Sequence, residues 1–303
     1  MPSGILLLDK PRGLSSNAAL QRVRALCQRV KAGHVGSLDP LATGMLPICL
    51  GEATKVAADI AAGRKRYRFT VELGLRTATG DTEGAVTQRA NVPPLERTAV
   101  EAALSRLRGA SQQIPPMYSA LKRDGRPLYR LARAGVTIER APRPIELAEL
   151  RLIGCTAATL DVETLCSKGT YIRVLAEDIA AALGTLGHVS ALRRLYVEPF
   201  EHESMYTLEA LAAVRARDEW PRLLPPDSPL ATLPAVRLSA SEARRVLNGQ
   251  SVMAAPLAAA PARVRLYDET GSFLGVGAAD STGALRPRRL LNLAPSSLSD
   301  PKP

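Results

Sequence analysis

The chain has 303 residues, enough to bury a sizeable core as one large domain or as a large domain with a small companion. Lys and Arg number 40 against 29 Asp and Glu, a net charge of +11 that points to a polyanionic partner without specifying a fold. The apolar run in MPSGILLLDK is too short for a signal peptide, and no segment approaches transmembrane length, so nucleic acid and a cytoplasmic location are preferred to a membrane.

From Ser16 to Lys31 the spacing predicts a helix, with Leu20, Val23, Cys27 and Val30 on one apolar stripe and Ser15 or Ser16 as its N-cap. GHVGSLDPLATGMLP is rich in turn formers and reads as a loop entering a buried strand near Leu46 to Leu50. RYRFTVELG alternates as a strand with Tyr67, Phe69, Val71 and Leu73 on one face, and DTEG (81–84) is a turn. Residues 94–108 suit a helix.

Gln113 to Arg143 differs from its surroundings. Seven Lys or Arg against two acids, with several prolines, predict a projecting basic arm that carries a short helix. Strand patterns follow at 147–153 and 158–166. A helix then begins near Tyr171, with Ile172, Leu175, Ile179 and Leu183 as its apolar face.

PRLLPPDSPLATLP (221–234) reads as a proline-rich linker and places a domain boundary there. Beyond it, Ser239 and Glu242 make a capping box for a short helix ending at Asn248-Gly249. VRLYDETGSFLGVGAA reads as a hairpin and ALRPRRLL as a further strand, together a small β module; the tail from 294 is expected to be disordered.

Few residues announce chemistry on their own. Cys27, Cys49, Cys155 and Cys166 lack paired spacing, and His34, His188 and His202 lie far apart, so neither disulfides nor a metal site is expected. Asp39, before a proline, is by itself most often a turn residue, although a rigid loop can also present a nucleophile. Arg173 falls in the first turn of its helix, where the dipole disfavours a cation, and off the apolar face; it must point to solvent or meet a carboxylate. Tyr67 and Tyr171 suit half-buried packing, and His34 a plain loop. The run RKRYR (64–68), helix-one arginines and the basic arm could share a phosphate-facing surface.

Combination changes that picture. GHVGSLDPLATGMLPICLGEATK resembles, nearly letter for letter, the catalytic loop of the TruB family of tRNA pseudouridine-55 synthases. DKPRGLSSN, KRYR, CSKGTYIR and LRRL resemble further family segments in the expected order, and IPPMYSALK resembles its RNA-gripping thumb. The likeness runs from about residue 4 to 210. DETGSFLGVG looks like part of the PUA-like module of bacterial members.

The resemblance implies an α+β fold: a mixed, largely antiparallel sheet flanked by helices, with the catalytic domain at 1–230, the thumb at about 113–143 and an RNA-binding module at 234–293. It implies isomerisation of uridine 55 in the tRNA T-loop, with Asp39 as the catalytic carboxylate, Arg173 paired bidentately with it, and Tyr67 as stacking ring and proton-transfer group. Tyr171 corresponds to a substrate-contacting tyrosine, His34 to a residue holding the flipped loop, and Leu192 to a leucine under the target nucleotide. Lys10 and Pro11 correspond to a structural motif. No redox change or hydrolysis is involved, so no cofactor is demanded; tRNA is the expected partner, with no protein partner and a monomeric state. Two other readings remain open, a tRNA-folding chaperone with secondary catalysis and a guide-dependent synthase.

Overall fold

A computed structural model describes residues 3–123, 125–253 and 262–292. Its first half contains β1 (Gly4–Lys10), α1 (Ser16–Leu26), β2 (Ala32–His34), β3 (Thr43–Leu50), α2 (Ala57–Ala62) and β4 (Lys65–Leu73). A ribbon of β5 (Leu75–Thr77) and β6 (Val86–Arg89) follows, then α3 (Arg97–Leu107) and β7 (Gly109–Gln113). The arm carries the minute hairpin β8 (Lys122–Arg123) and β9 (Arg126–Pro127), and α4 (Leu128–Arg133). Next come β10 (Arg143–Cys155), β11 (Thr159–Cys166), α5 (Ile172–Ala182), β12 (Gly187–Val197) and α6 (Leu208–Ala216).

The main sheet runs β1-β3-β12-β4-β11-β10-β7, with β2 added on β3. Every pair is antiparallel except β12 with β3, which meet over only two residue pairs, Arg193 with Thr43 and Arg194 with Gly44. The fold is therefore α+β with a mixed, largely antiparallel sheet. The alternation in β4 works as the sequence suggests: Tyr67, Phe69, Val71 and Leu73 are all buried, against Ile172, Leu175 and Ile179 of α5 and Val100 and Leu104 of α3. A second cluster joins α1 and α6 to β1 and β3.

Helix one is shorter than its apolar stripe. It stops at Leu26 because Gln28 and Arg29 adopt left-handed backbone angles (φ 53° and 55°), yet the turn still buries Cys27 and Val30. His34 lies on a strand paired with β3, not in a plain loop. The helix expected over 94–108 begins at Arg97, after two prolines.

The remaining elements are β13 (Ala235–Arg237), α7 (Ala240–Leu247), β14 (Val252–Met253), β15 (Ala262–Tyr267), β16 (Phe273–Ala279) and β17 (Ala284–Leu290). They form a separate five-stranded sheet, β13-β15-β16-β17-β14, over its own cluster, and Ser239 and Glu242 close a capping box on α7. The proline-rich stretch before it is packed, not free. Leu224 exchanges two backbone hydrogen bonds with Ile5, both 2.9 Å, and Leu230 packs with Val56, Phe273, Val276 and Leu291. The expected tail, 294–303, lies outside the described residues.

Candidate active site

Between β2 and β3 the chain leaves the sheet as a loop, residues 35–42, and Asp39 sits at its turn. Lys10, Gly13 and Ser16 hold it from beneath. Ser15 caps α1, which leaves Ser16 free to bind the loop. The buried Ser16 hydroxyl donates to Leu38 O at 2.9 Å and accepts from Leu38 N at 2.7 Å. Gly13 N donates to Pro40 O at 2.8 Å. Lys10, wholly buried, donates to Pro11 O at 2.9 Å and Leu14 O at 2.6 Å and reaches Pro40 O at 3.5 Å. Burial pulls its ammonium down to about 8, against the opposing pull of Asp39. The Lys10-Pro11 segment thus supports the loop that carries Asp39.

Arg173 answers its own puzzle at the head of α5. It is buried, and its Nε lies 2.9 Å from the Asp39 carboxylate. The pair is not bidentate, contrary to expectation, because the two terminal nitrogens are committed elsewhere: one donates to Thr79 O at 2.7 Å, the other to Tyr118 O at 2.6 Å. One guanidinium therefore joins the Asp39 loop, the turn after β5 and the root of the arm. Asp81, buried, stands 3.8 Å from the same Nε and accepts from Thr79 Oγ1 at 2.5 Å and Glu83 N at 3.0 Å.

Crowding by protein pushes the Asp39 carboxyl above its ordinary range; Arg173 pulls it down, and Asp81 pushes it up again. Its side chain keeps 41% of its surface open, so water on that side weakens the push.

Tyr67 and Leu192 face the same side of the sheet and pack with Leu38, Leu41 and Ala42 of the loop. Leu41 and Leu192 also line a cleft of about 510 Å³ where β3 and β12 part, together with Thr43, Arg68, Thr70, Asp161 and Arg193. Asp39, Tyr67 and Arg173 are not in its walls; the cleft adjoins them through Leu41 and Leu192. His34 sits on β2 opposite Ile48, and its Nδ1 has no partner among the described residues. Burial, then the charge of Arg194, lowers its pKa and favours the neutral ring. Tyr171 caps α5, and its backbone is clipped to the arm's base by Gln113, at 2.7 Å to N and 3.2 Å to O.

Two residues escaped the sequence reading. Asp81 looked like part of a turn, and Arg194 like half of a motif; burial marks both, and burial of a polar residue has no local signature. The RKRYR run also differs from expectation. Arg64 pairs with Glu198, Arg66 with Glu149 and Glu163, and Lys65 is buried on the carbonyls of Ala61 and Gly63, leaving Arg68 exposed. In the arm, by contrast, Lys122, Arg123, Arg126, Arg130, Arg133 and Arg143 are exposed and have no carboxylate partner among the described residues.

Profile comparison matches residues 24–172 to the N-terminal domain of TruB family pseudouridylate synthases, 173–231 to the C-terminal domain of tRNA pseudouridylate synthase B, and 234–291 to a C-terminal region of pseudouridine synthase II TruB. The chain belongs to the TruB family. It is 50% identical over 293 residues to tRNA pseudouridine synthase B of Chromohalobacter salexigens, covering 96% of this chain and 95% of that one. It is also 50% identical to the Burkholderia mallei protein of the same name, over 95% and 96% of the two chains. Two solved structures share the fold: a Cbf5-Nop10-Gar1 complex (TM-score 0.70, 23% identity, 92% of this chain and 79% of that one) and an H/ACA RNP bound to a substrate RNA (0.71, 20%, 95% and 84%). As a TruB family member the chain is a pseudouridine synthase, an isomerase. No helix among the described residues is long and apolar enough to cross a membrane.

Ser16→Ala would strand both polar groups of Leu38 and should lower unfolding free energy by about 1–3 kcal/mol in urea titration. A change within about 0.5 kcal/mol would mean that the loop finds other partners.

Proposed function

We propose that the chain converts uridine 55 of the tRNA T-loop to pseudouridine, with Asp39 as the reacting carboxylate. The observation that carries this reading is the Asp39–Arg173 contact at 2.9 Å, buried on the arginine side and open on the carboxylate side. The names of the relatives, similar along almost their whole length, support tRNA as the substrate.

The reaction breaks N1–C1′, turns the uracil and joins C5 to C1′. Asp39 can attack C1′, add to C6 or accept a proton, and each role needs the ionised carboxylate. Arg173 keeps that form accessible and aims it. The target base must leave its stack, at a cost of a few kcal/mol. Phosphate contacts from the arm would offset that cost. Tyr67 and Leu192, each 8% exposed, offer apolar edges for the extruded base, while a neutral His34 would fill the vacated space and Tyr171 would contact the nucleotide from the head of α5. We assign the module beyond residue 234 a supporting RNA contact; the chain needs no protein partner and acts as a monomer.

Three outcomes are expected. Asp39→Asn should abolish tritium release from tRNA labelled at uridine C5 while tRNA affinity stays within about threefold; turnover at the normal rate would refute the assignment. Asp81→Asn removes a like charge, which favours the ionised Asp39, so the acid limb of the pH–kcat profile should move to lower pH; an unmoved limb would show that Asp81 is not felt. Replacing Lys122, Arg123 and Arg126 together by Ala should weaken tRNA binding and reduce the slope of log K against log salt by about 1 per lost phosphate contact. A parallel line at lower affinity would place the phosphates elsewhere.

A further inference from the structure

Arg194 is one of the largest fully buried side chains of the molecule, 1% exposed, yet no carboxylate lies within ion-pair distance of it among the described residues. Burying a cation without a counter-charge is costly, and only hydrogen bonds from its N–H groups offset that cost. What the guanidinium does have is three oxygens. Its Nε donates to Met45 O at 2.7 Å, one terminal nitrogen to Gly36 O at 2.8 Å, and the other to Tyr67 Oη at 3.4 Å.

The loop is moulded around this side chain. A Cβ on Gly36 (φ +69°) would come 3.0 Å from the guanidinium, and one on Gly44 (φ +98°) would come 2.1 Å from Arg194 O. Gly36 therefore leaves room for the guanidinium itself, whereas Gly44 leaves room for the backbone at 194 and lets β3 and β12 approach. The charged or titratable groups facing Arg194 and Tyr67 are Lys10 on β1, His34 on β2, Asp39 on the loop, Lys65 on β4 and Cys166 on β11. Of these only Asp39 carries a negative charge, and it is paired with Arg173.

A guanidinium can donate and never accept. The Tyr67 oxygen must therefore accept from Arg194, and its own hydrogen has no acceptor among the described residues. Resting on the reading above, we propose that Arg194 is a positioning residue that turns the Tyr67 hydroxyl toward the bound uracil and supplies the positive charge against which that oxygen can become anionic. The isomerisation removes a proton from C5 and adds one at N1. A phenol that gives its proton to N1 and then takes the one from C5 ends as it began, with a phenolate beside Arg194 in between. The 3.4 Å contact would tighten as negative charge develops on the oxygen.

The test is a double-mutant cycle on tritium release from C5-labelled tRNA. Arg194→Met should lower kcat by about 100-fold with tRNA affinity within about threefold, as for loss of one charge-stabilising donor. Arg194→Lys, which keeps the charge, should recover about tenfold of that loss. On a Tyr67→Phe background either change should cost less than about threefold, because the oxygen it serves is gone. Equal losses on both backgrounds, or a raised KM with kcat intact, would overturn the proposal. If Arg194→Met shows no cooperative melting, the same comparison with Arg194→Lys decides it, because that variant retains the cation. A wild-type protein that releases no tritium would overturn the functional reading as well, whereas an active wild type with additive variants overturns only the role of Arg194.

Discussion

A single nitrogen–oxygen contact, Arg173 Nε to the Asp39 carboxylate, ties a loop to the head of a helix 134 residues further along the chain. The arginine begins a helix packed on the main sheet; the carboxylate rides a loop with no regular structure. Because the other two nitrogens of the same guanidinium hold carbonyls at 79 and 118, the loop, the turn after β5 and the root of the arm converge on one planar group. Planarity gives each contact a fixed direction, which an ammonium would not do. Moving any one of these segments would disturb the other two.

The positive charge of the chain is divided between two roles. Lys10, Lys65, Arg173 and Arg194 point inward, and each is satisfied largely by backbone carbonyls of loops, a strand or a helix end. Such contacts fix irregular backbone that could not otherwise be buried, since its carbonyls would lack donors. Six of the arm's cations, Lys122, Arg123, Arg126, Arg130, Arg133 and Arg143, are exposed and have no carboxylate partner among the described residues, which suits contact with a polyanion. Net charge alone does not distinguish the two groups. RKRYR shows why: as a string it reads as a phosphate-binding patch, but Arg64 and Arg66 meet glutamates contributed by β10, β11 and the end of β12, and Lys65 turns inside.

Splitting of the sheet opens the cleft beside the Asp39 loop. β12 runs beside β3 for only two residue pairs before the strands part, and the Asp39 loop folds over the side where Tyr67 and Leu192 lie. The glycines at 36 and 44 belong to this departure. Both have positive φ; a side chain at 44 would collide with the backbone of Arg194, and one at 36 would crowd its guanidinium.

Local pattern was enough for the elements whose physics is local. The alternation in β4, the capping box on α7, the apolar face of α5 and the charge of the arm were all legible, because each depends on neighbours within a few residues. The likeness of several segments to one family singled out Asp39, Tyr67 and Arg173 together, whereas taken singly an Asp before Pro and an Arg at a helix start read as a turn and a solvated cation. Only the tertiary structure decided which partners these residues have: that Arg173 meets Asp39 through Nε alone, that Asp81 stands behind it, that Ser16 serves the loop and Ser15 the helix, and that Arg194 is buried without a counter-charge. The reason is distance along the chain. Contacts such as 16 with 38, 39 with 173 and 36 with 194 are set by how sheet and helices close on one another, and no periodicity within a segment encodes them.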